Sequence, residues 1–315
     1  MATEAPLKHV VVIGPGAIGL CLAVRLARRG QRVTLIDHRP DRAARLSARP
    51  IRLRGPAGDD VEAAIPVRLV PDVPPDLVIL ATKAHAARAA AGAAAMWLDA
   101  VPVLLVQNGL GVAAEVAQAL PQATVITAVL YQGANLTGEG EVRHVANLRV
   151  HVGYEGRPPD AAAEAVAATL AAAGLPARVA HDMTPVVWGK LLVNAAINPV
   201  AALAGVTNGA VAERPSLRAM ARAIAEEGEA AARAAGVALP YSSAAEAAWD
   251  TARRTADNRC SMLQDLEAGR PTEIEYLNGA IVRVAEAHAV AVPANRAVAS
   301  LVRQVSARPA TAAQT

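Results

Sequence analysis

Phenylalanine is missing from this 315-residue chain, and three tryptophans and four tyrosines are its only aromatic residues. The apolar share, 53%, is ordinary for a soluble protein and is carried by alanine. Side chains this small favour many helices in close contact over broad aromatic packing. Cysteine is scarce as well. Cys21 and Cys260 do not make a disulfide framework, which suits a reducing compartment. The formal charge of +3 is slight and its basic residues are dispersed, so no nucleic-acid partner is expected. The first residues hold no apolar signal core. No apolar run reaches the roughly 18 residues of a membrane span. The alanine-rich stretches near 90 and 165 are interrupted by Asp99, Glu164 and Arg178. The expectation is a soluble, cytoplasmic protein without a membrane partner, long enough for two domains.

Lys8 to Ile13 is a short continuous apolar run, the pattern of a parallel strand buried on both faces. Gly14-Pro15-Gly16-Ala17-Ile18-Gly19 follows it directly, then a helical stretch, Leu20 to Arg29, closed by Gly30. A second strand, Arg32 to Ile36, ends in Asp37. A glycine pattern between strand and helix is the context that gives this motif its meaning as a dinucleotide-binding turn. The first glycine makes the turn, the second admits the pyrophosphate, and the third lets helix and strand pack. The free N–H groups at the helix start then face the phosphate charge. Asp37 stands where a carboxylate accepts from a ribose 2′-hydroxyl, which favours NAD. His38, Arg39 and Arg42 follow and can equally clamp the 2′-phosphate of NADP, or form a solvated basic turn. The residues leave that choice open.

Ile51 to Arg54 and Val61 to Ile65, joined by Gly55 to Asp60, read as an inserted hairpin. Asp76 to Ala81 is the next buried strand, running into Thr82-Lys83, and Val101 to Val106 another, running into Gln107-Asn108-Gly109. Ligands of open parallel sheets lie beyond the carboxyl ends of the strands, where Lys83 and Asn108 stand. Taken singly, a loop lysine and a turn-forming Asn-Gly explain them as well. Thr124 to Leu130 and Glu141 to Val152 read as further strands, Asp160 to Ala173 as a helix, and Ala177 to Ala180 as an edge strand.

After Asp182 only helices are expected: Pro185 to Ile197, Pro215 to Ala235, Ser243 to Thr255, Ser261 to Ala268, Thr272 to His288 and Ala294 to about Val305. Residues 1–182 should therefore form a dinucleotide-binding domain of Rossmann type, and 183–315 an all-α domain for substrate and catalysis. The tail from Ala307 is expected to be disordered.

The first of these helices is the most informative. Lys190, Asn194 and Asn198 are spaced by four and share one face, while Val186, Leu191, Val193 and Ile197 make the remainder apolar. On a helix so largely buried, a lysine among two amides needs solvent or a ligand. Lys190 pointing to water, with each asparagine closing a turn, is the plain alternative. Pro199 should stop or kink the helix at Asn198. Downstream, Asn258 precedes Ser261, which with Gln264 fits a capping box; the same helix start can seat a carboxylate. Thr272 and Glu275 fit a second capping box, which leaves Glu273 without a structural task. An acid near a buried lysine holds it charged, as a proton donor to a carbonyl must be. No metal-ligand pattern stands out.

These motifs resemble the ketopantoate reductase (2-dehydropantoate 2-reductase) family over nearly the whole chain. The resemblance rests on Gly14 to Gly19, Lys83 within Ala81-Thr82-Lys83-Ala84, Gln107-Asn108-Gly109 and His144-Val145-Ala146-Asn147. In the second half it rests on Lys190, Asn194, Asn198-Pro199, Asn258, Ser261-Met262-Leu263-Gln264-Asp265, Thr272-Glu273-Ile274, Asn278-Gly279 and Val292-Pro293. The resemblance implies NADPH-dependent reduction of ketopantoate to (R)-pantoate, toward pantothenate and coenzyme A. Lys190 would protonate the carbonyl oxygen, and Glu273 would hydrogen-bond to the lysine or substrate. Asn194, Asn198 and Asn258 would orient the substrate and Ser261 bind its carboxylate. Lys83 and Asn108 would line the cofactor and substrate cleft. Asp37-His38-Arg39 departs from the arginine often placed for the 2′-phosphate, so NAD stays open beside NADP. A reductase of another small 2-oxo acid on the same scaffold is the nearest alternative. A non-catalytic NADP(H)-binding regulator would keep Gly14, Gly16 and Gly19 but have no use for Lys190 and Glu273. A homodimer through the alanine-rich helices is the expected assembly.

Overall fold

The computed structural model describes residues 7–55, 60–98, 100–131, 133–144 and 149–307. Pro56 to Asp59 of the expected hairpin turn, Asp99, Val145 to Asn147 of the family stretch, and the tail beyond Ala307 lie outside those residues. The chain forms two compact units, one of residues up to Gln107 with Val112–Met183, the other of Asn108–Gly111 with residues from Thr184 onward.

The first unit runs β1 (His9–Ile13), α1 (Ala17–Arg28), β2 (Arg32–Ile36), α2 (Pro40–Ser47), β3 (Ile51–Arg54), β4 (Val61–Ala63), β5 (Val67–Arg68), β6 (Leu77–Leu80), α3 (Ala84–Ala94) and β7 (Pro102–Leu105). It continues with α4 (Val112–Ala119), β8 (Thr124–Leu130), β9 (Ala134–Gly138), β10 (Glu141–His144), β11 (Val150–Gly153), α5 (Ala161–Ala172) and β12 (Ala177–Val179). An eight-stranded sheet has the order β12-β11-β8-β7-β6-β1-β2-β5. Its β5-β2-β1-β6-β7-β8 portion is parallel and doubly wound, and the order reverses between β1 and β6, where such sheets bind their ligands. Val10, Val11 and Val12 of β1 are wholly buried. Each such side chain stabilises by roughly 1.5–3 kcal/mol over leaving it in water, which holds β1 at the sheet centre.

A second sheet, β4-β3-β10-β9, differs from the expectation in this region. β3 and β4 do pair antiparallel. The stretch Glu141 to Val152, read as one strand, is two: β10 beside β3 in the small sheet, and β11 antiparallel to β8 in the large one. A strand-like pattern of interspersed apolar residues cannot reveal that a chain changes sheets partway along it.

The second unit is helical: α6 (Thr184–Ala204), α7 (Asn208–Glu213), α8 (Pro215–Ala234), α9 (Ala244–Arg254), α10 (Ser261–Glu267), α11 (Asn278–Ala287) and α12 (Pro293–Ser306). Small residues set the spacing. A Cβ on Gly228 of α8 would come within 2.6 Å of Leu192 Cδ2 on α6. Ser243 caps α9 as expected, accepting from the Glu246 N–H at 3.2 Å.

Three helix boundaries depart from the sequence reading. α6 passes through Asn198 and Pro199 to Ala204, because the carbonyl that Pro199 deprives of its N–H, that of Ala195, accepts instead from Asn278 Nδ2 at 3.1 Å. The helix expected from Thr272 begins at Asn278, and Glu275 pairs with Arg303 rather than closing a capping box. α10 is capped by Cys260, whose sulfur accepts from the Leu263 N–H, while Gln264 Nε2 donates to the Arg259 carbonyl at 2.8 Å. The Ser261/Gln264 box is therefore not formed. α6 is also long and apolar enough, by length and composition, to cross a membrane, contrary to the expectation that no run is. Its apolar window is 72% buried, the pattern of a core helix.

The glycine turn is tightest at Gly19, where an added Cβ would lie 2.1 Å from the Gly14 carbonyl, and open at Gly16, where it would meet nothing within 4 Å. Thermal unfolding should separate the two. Gly19→Ala is expected to cost at least about 1–3 kcal/mol. Gly16→Ala should leave the midpoint within about 1–2 °C of the parent, since surface changes fall within about 0.5 kcal/mol.

Candidate active site

In the first unit the predicted cofactor residues gather at the carboxyl ends of β1, β2 and β6. Gly14 takes φ +100°, and a Cβ there would press on the Thr82 nitrogen at 2.9 Å, so the turn after β1 is wedged against the end of β6. Pro15, Gly16, Ala17, Ile18 and Gly19 carry the chain into α1, and no side chain caps that helix start. Gly16, the N-cap residue, has open space where a Cβ would stand, and an uncapped helix start of this kind suits an anionic phosphate.

Asp37 ends β2 and is buried, whereas His38 and Arg39 are exposed. Its carboxylate accepts from the Arg39 N–H at 3.1 Å, and Arg42 Nη1 stands 3.2 Å from Oδ2 as a charge contact without hydrogen-bond direction. Arg42 also donates to the Pro15 carbonyl at 2.6 Å. One guanidinium thus ties the glycine turn to Asp37 and neutralises it. Sequence reading placed Arg42 in a basic turn without foreseeing this bridge. Lys83 follows β6 and stands at the N-cap position of α3. Beside it Gln107 donates to the Leu80 and Thr82 carbonyls at 2.7 and 3.1 Å, while Gln107 Oε1 and Thr82 Oγ1 are buried without partners. Orphaned acceptors at a strand-end crevice suit the hydroxyls and amide of a bound dinucleotide. The residues present fit such a group.

In the second unit, Lys190, Asn194 and Asn198 lie along α6, all half-buried. Burial pushes the Lys190 ammonium down to about 8, and Glu273 opposes this by favouring the charged form. Part of the lysine side chain reaches solvent, yet burial remains the larger influence. Glu273 is buried, in the turn leading to α11, and accepts from Asn108 Nδ2 at 3.4 Å. Asn108 is held there because Leu110 N–H donates to the Tyr276 carbonyl at 2.9 Å. The adjoining Gly109 takes φ +101°, and a Cβ on it would strike the same carbonyl at 2.3 Å.

Ser261 begins α10 and is exposed. Cys260 Sγ contacts the Asn198 carbonyl at 3.5 Å, which brings this helix start to the Asn198 end of α6. Asn258 is half-buried, and its carbonyl accepts from the Asn208 N–H at 3.0 Å. The structure therefore brings Lys190, Glu273 and Asn108 together, and sets Ser261 beside the far end of the lysine face. Among the described residues no group of three or more His, Cys, Asp or Glu side chains has the arrangement of a metal site.

Residues 10–156 match the family model described as ketopantoate reductase PanE/ApbA, and residues 182–306 its C-terminal counterpart. A 2-dehydropantoate 2-reductase of Halobacterium salinarum is 38% identical, the match covering 94% of this chain and 98% of the relative. Another, of Archaeoglobus fulgidus, is 33% identical over 95% and 98% of the two chains. The crystal structure of a PanE/ApbA family ketopantoate reductase from Ralstonia eutropha JMP134 superposes with a TM-score of 0.86 at 31% identity, covering 95% of this chain and 98% of that one. With both halves matched and relatives aligned nearly end to end, the chain belongs to the ketopantoate reductase family.

Proposed function

We propose that this chain reduces the ketone of 2-dehydropantoate (ketopantoate) to (R)-pantoate, a step of pantothenate and coenzyme A synthesis, with NADPH as reductant. The observation that carries this reading is a lysine whose ammonium is drawn down to about 8 by burial and held charged by a buried glutamate. A nicotinamide held at the glycine turn would supply the hydride for the carbonyl carbon. Lys190 Nζ gives its proton to the carbonyl oxygen as negative charge develops there, and Glu273 keeps that ammonium charged until it is needed. Asn108 fixes the carboxylate of Glu273. Asn194, Asn198 and Asn258 orient the substrate, and Ser261, at a helix start, receives its carboxylate.

The pyrophosphate is assigned to the N–H groups of the Gly14–Gly19 turn, and Lys83 to the cofactor edge. Asp37 is buried, with Arg42 3.2 Å from Oδ2 and Arg39 and His38 3.6 and 3.7 Å from Oδ1. Two arginines against one carboxylate, with Arg39 exposed, give the turn a positive balance suited to a 2′-phosphate.

Absorbance assays of NADPH and NADH oxidation with ketopantoate and other 2-oxo acids test the assignment. Fast turnover of a different acid with none of ketopantoate would reassign the substrate. Lys190→Ala should lose about 10²–10⁴ in rate. Because the donor must be protonated and its pKa is near 8, kcat/KM for reduction should fall as pH rises through about 8. Glu273→Gln removes the influence that raises this value, so the same limb should move to lower pH. For the cofactor, Gly16→Ala should keep the parent's melting point yet lose NADPH binding, measured by the fluorescence of the bound nicotinamide. Arg39→Ala should raise KM for NADPH by roughly ten-fold while leaving that for NADH. A lower KM for NADH in the parent, lost in Asp37→Ala, would reverse the preference.

A further inference from the structure

Pro199 sits inside α6, where its missing N–H leaves the Ala195 carbonyl without its helical donor. A buried carbonyl left in that state is costly. Here the donor arrives from another helix. Asn278, wholly buried, directs its amide nitrogen to the Ala195 carbonyl at 3.1 Å and to Asn295 Oδ1 at 3.0 Å. Asn295, also wholly buried, donates from Nδ2 to the Ile224 carbonyl of α8 at 3.0 Å and to Glu227 Oε2 at 2.9 Å. Glu227 in turn accepts from the Ala294 and Asn295 N–H groups at 2.8 and 2.9 Å, capping α12 from across the bundle. The chain of amides therefore joins α6, α8, α11 and α12.

Its position relative to the reacting groups is what matters. Asn278 is the first residue of α11, and the turn that enters it carries Glu273; the Tyr276 and Leu277 N–H groups both donate to the Glu273 carbonyl. Ala195 lies on α6 between Lys190 and Asn198. We propose that Asn278 is a positioning residue for the reduction: by supplying the bond that Pro199 withholds, it fixes the α6 segment bearing Lys190, Asn194 and Asn198 in register with the turn bearing Glu273. This rests on the reading of Lys190 and Glu273 as the proton-donating pair. A regular α6 with alanine in place of the proline would satisfy Ala195 by itself and carry no such link to α11. The proline makes the catalytic helix depend on the Glu273 segment for one of its own hydrogen bonds.

The test compares Asn278→Ala, Pro199→Ala and the double variant, each measured for thermal midpoint, kcat against pH, and NADPH binding by fluorescence. Asn278→Ala should lower the midpoint, reduce kcat roughly 10–100-fold through misplacement of the donor, and leave NADPH binding unchanged. It should also move the falling limb of the pH profile to lower pH. Among the described residues Glu273 is the charged group that raises Lys190, and loosening it weakens that influence. In the double variant the Pro199→Ala change returns a main-chain N–H to the Ala195 carbonyl but not the bond to Asn295 Oδ1, so the midpoint should recover in part while kcat and the displaced limb do not. Recovery of all three in the double variant, or an unchanged kcat and limb in Asn278→Ala, would overturn the proposal and leave Asn278 as a filler of the helix ladder. If the single variant does not fold, the comparison of the double variant with Pro199→Ala carries the same test. Failure of the underlying reading shows separately, as undiminished turnover by Lys190→Ala.

Discussion

An ammonium withdrawn from water and a carboxylate close enough to keep it charged are the interaction on which the second unit turns. Burial alone would draw Lys190 lower still, and the opposing pull of Glu273 leaves it poised near 8. Several local features hold the segments that carry the two groups. Gly109 adopts a left-handed backbone so that residues 108–111 can lie on the Tyr276 carbonyl, which delivers Asn108 to Glu273. Gly228 lets α8 approach Leu192 closely. Asn278 completes α6 where Pro199 interrupts it. Each replaces ordinary packing or an ordinary helical bond with a tie to the segments that hold the pair.

The first unit carries the glycine turn, which in the proposed reading offers main-chain N–H groups to an anion. Gly14 and Gly19 are required by closeness to Thr82 and to each other, whereas Gly16 is required by nothing inside the protein. In the proposed reading that open space is the room a pyrophosphate takes beside the backbone. Arg42, spanning the Pro15 carbonyl and Asp37, ties this turn to the end of β2. Arg39 and His38 also stand 3.6 and 3.7 Å from Asp37 Oδ1, so the three basic side chains of the turn gather around one buried carboxylate.

Much of this was legible in the residues. The run from Lys8 to Gly19 announces strand, turn and helix through its periodicity and glycines, and β1 and α1 lie there. Lys190, Asn194 and Asn198 share a helix as their spacing of four requires. What the sequence concealed depends on contacts distant along the chain. Pro199 looks like a stop because local rules know nothing of Asn278, far along the chain in a segment expected to be mid-helix. The apolar residues Val200, Ala201, Ala202 and Leu203 ahead of Gly205 did carry a signal that α6 continues. Ser261 and Gln264 satisfy a capping pattern, yet Cys260 takes the cap, because sulfur at that position can accept from Leu263 and meet Asn198 at once. Glu141 to Val152 reads as one strand because a change of sheet leaves no mark in hydrophobic periodicity.

The central proposition, a proton donor held near neutrality by one buried acid, is most directly tested by titrating Lys190 itself. Carbon-13 labelling of lysine, with Lys190→Arg to assign the resonance, allows its ionisation to be followed by NMR in the intact chain. A midpoint near 8 that falls further in Glu273→Gln is the predicted result. A midpoint at about 10.4, the value of a lysine in water, unmoved by that substitution, would contradict it.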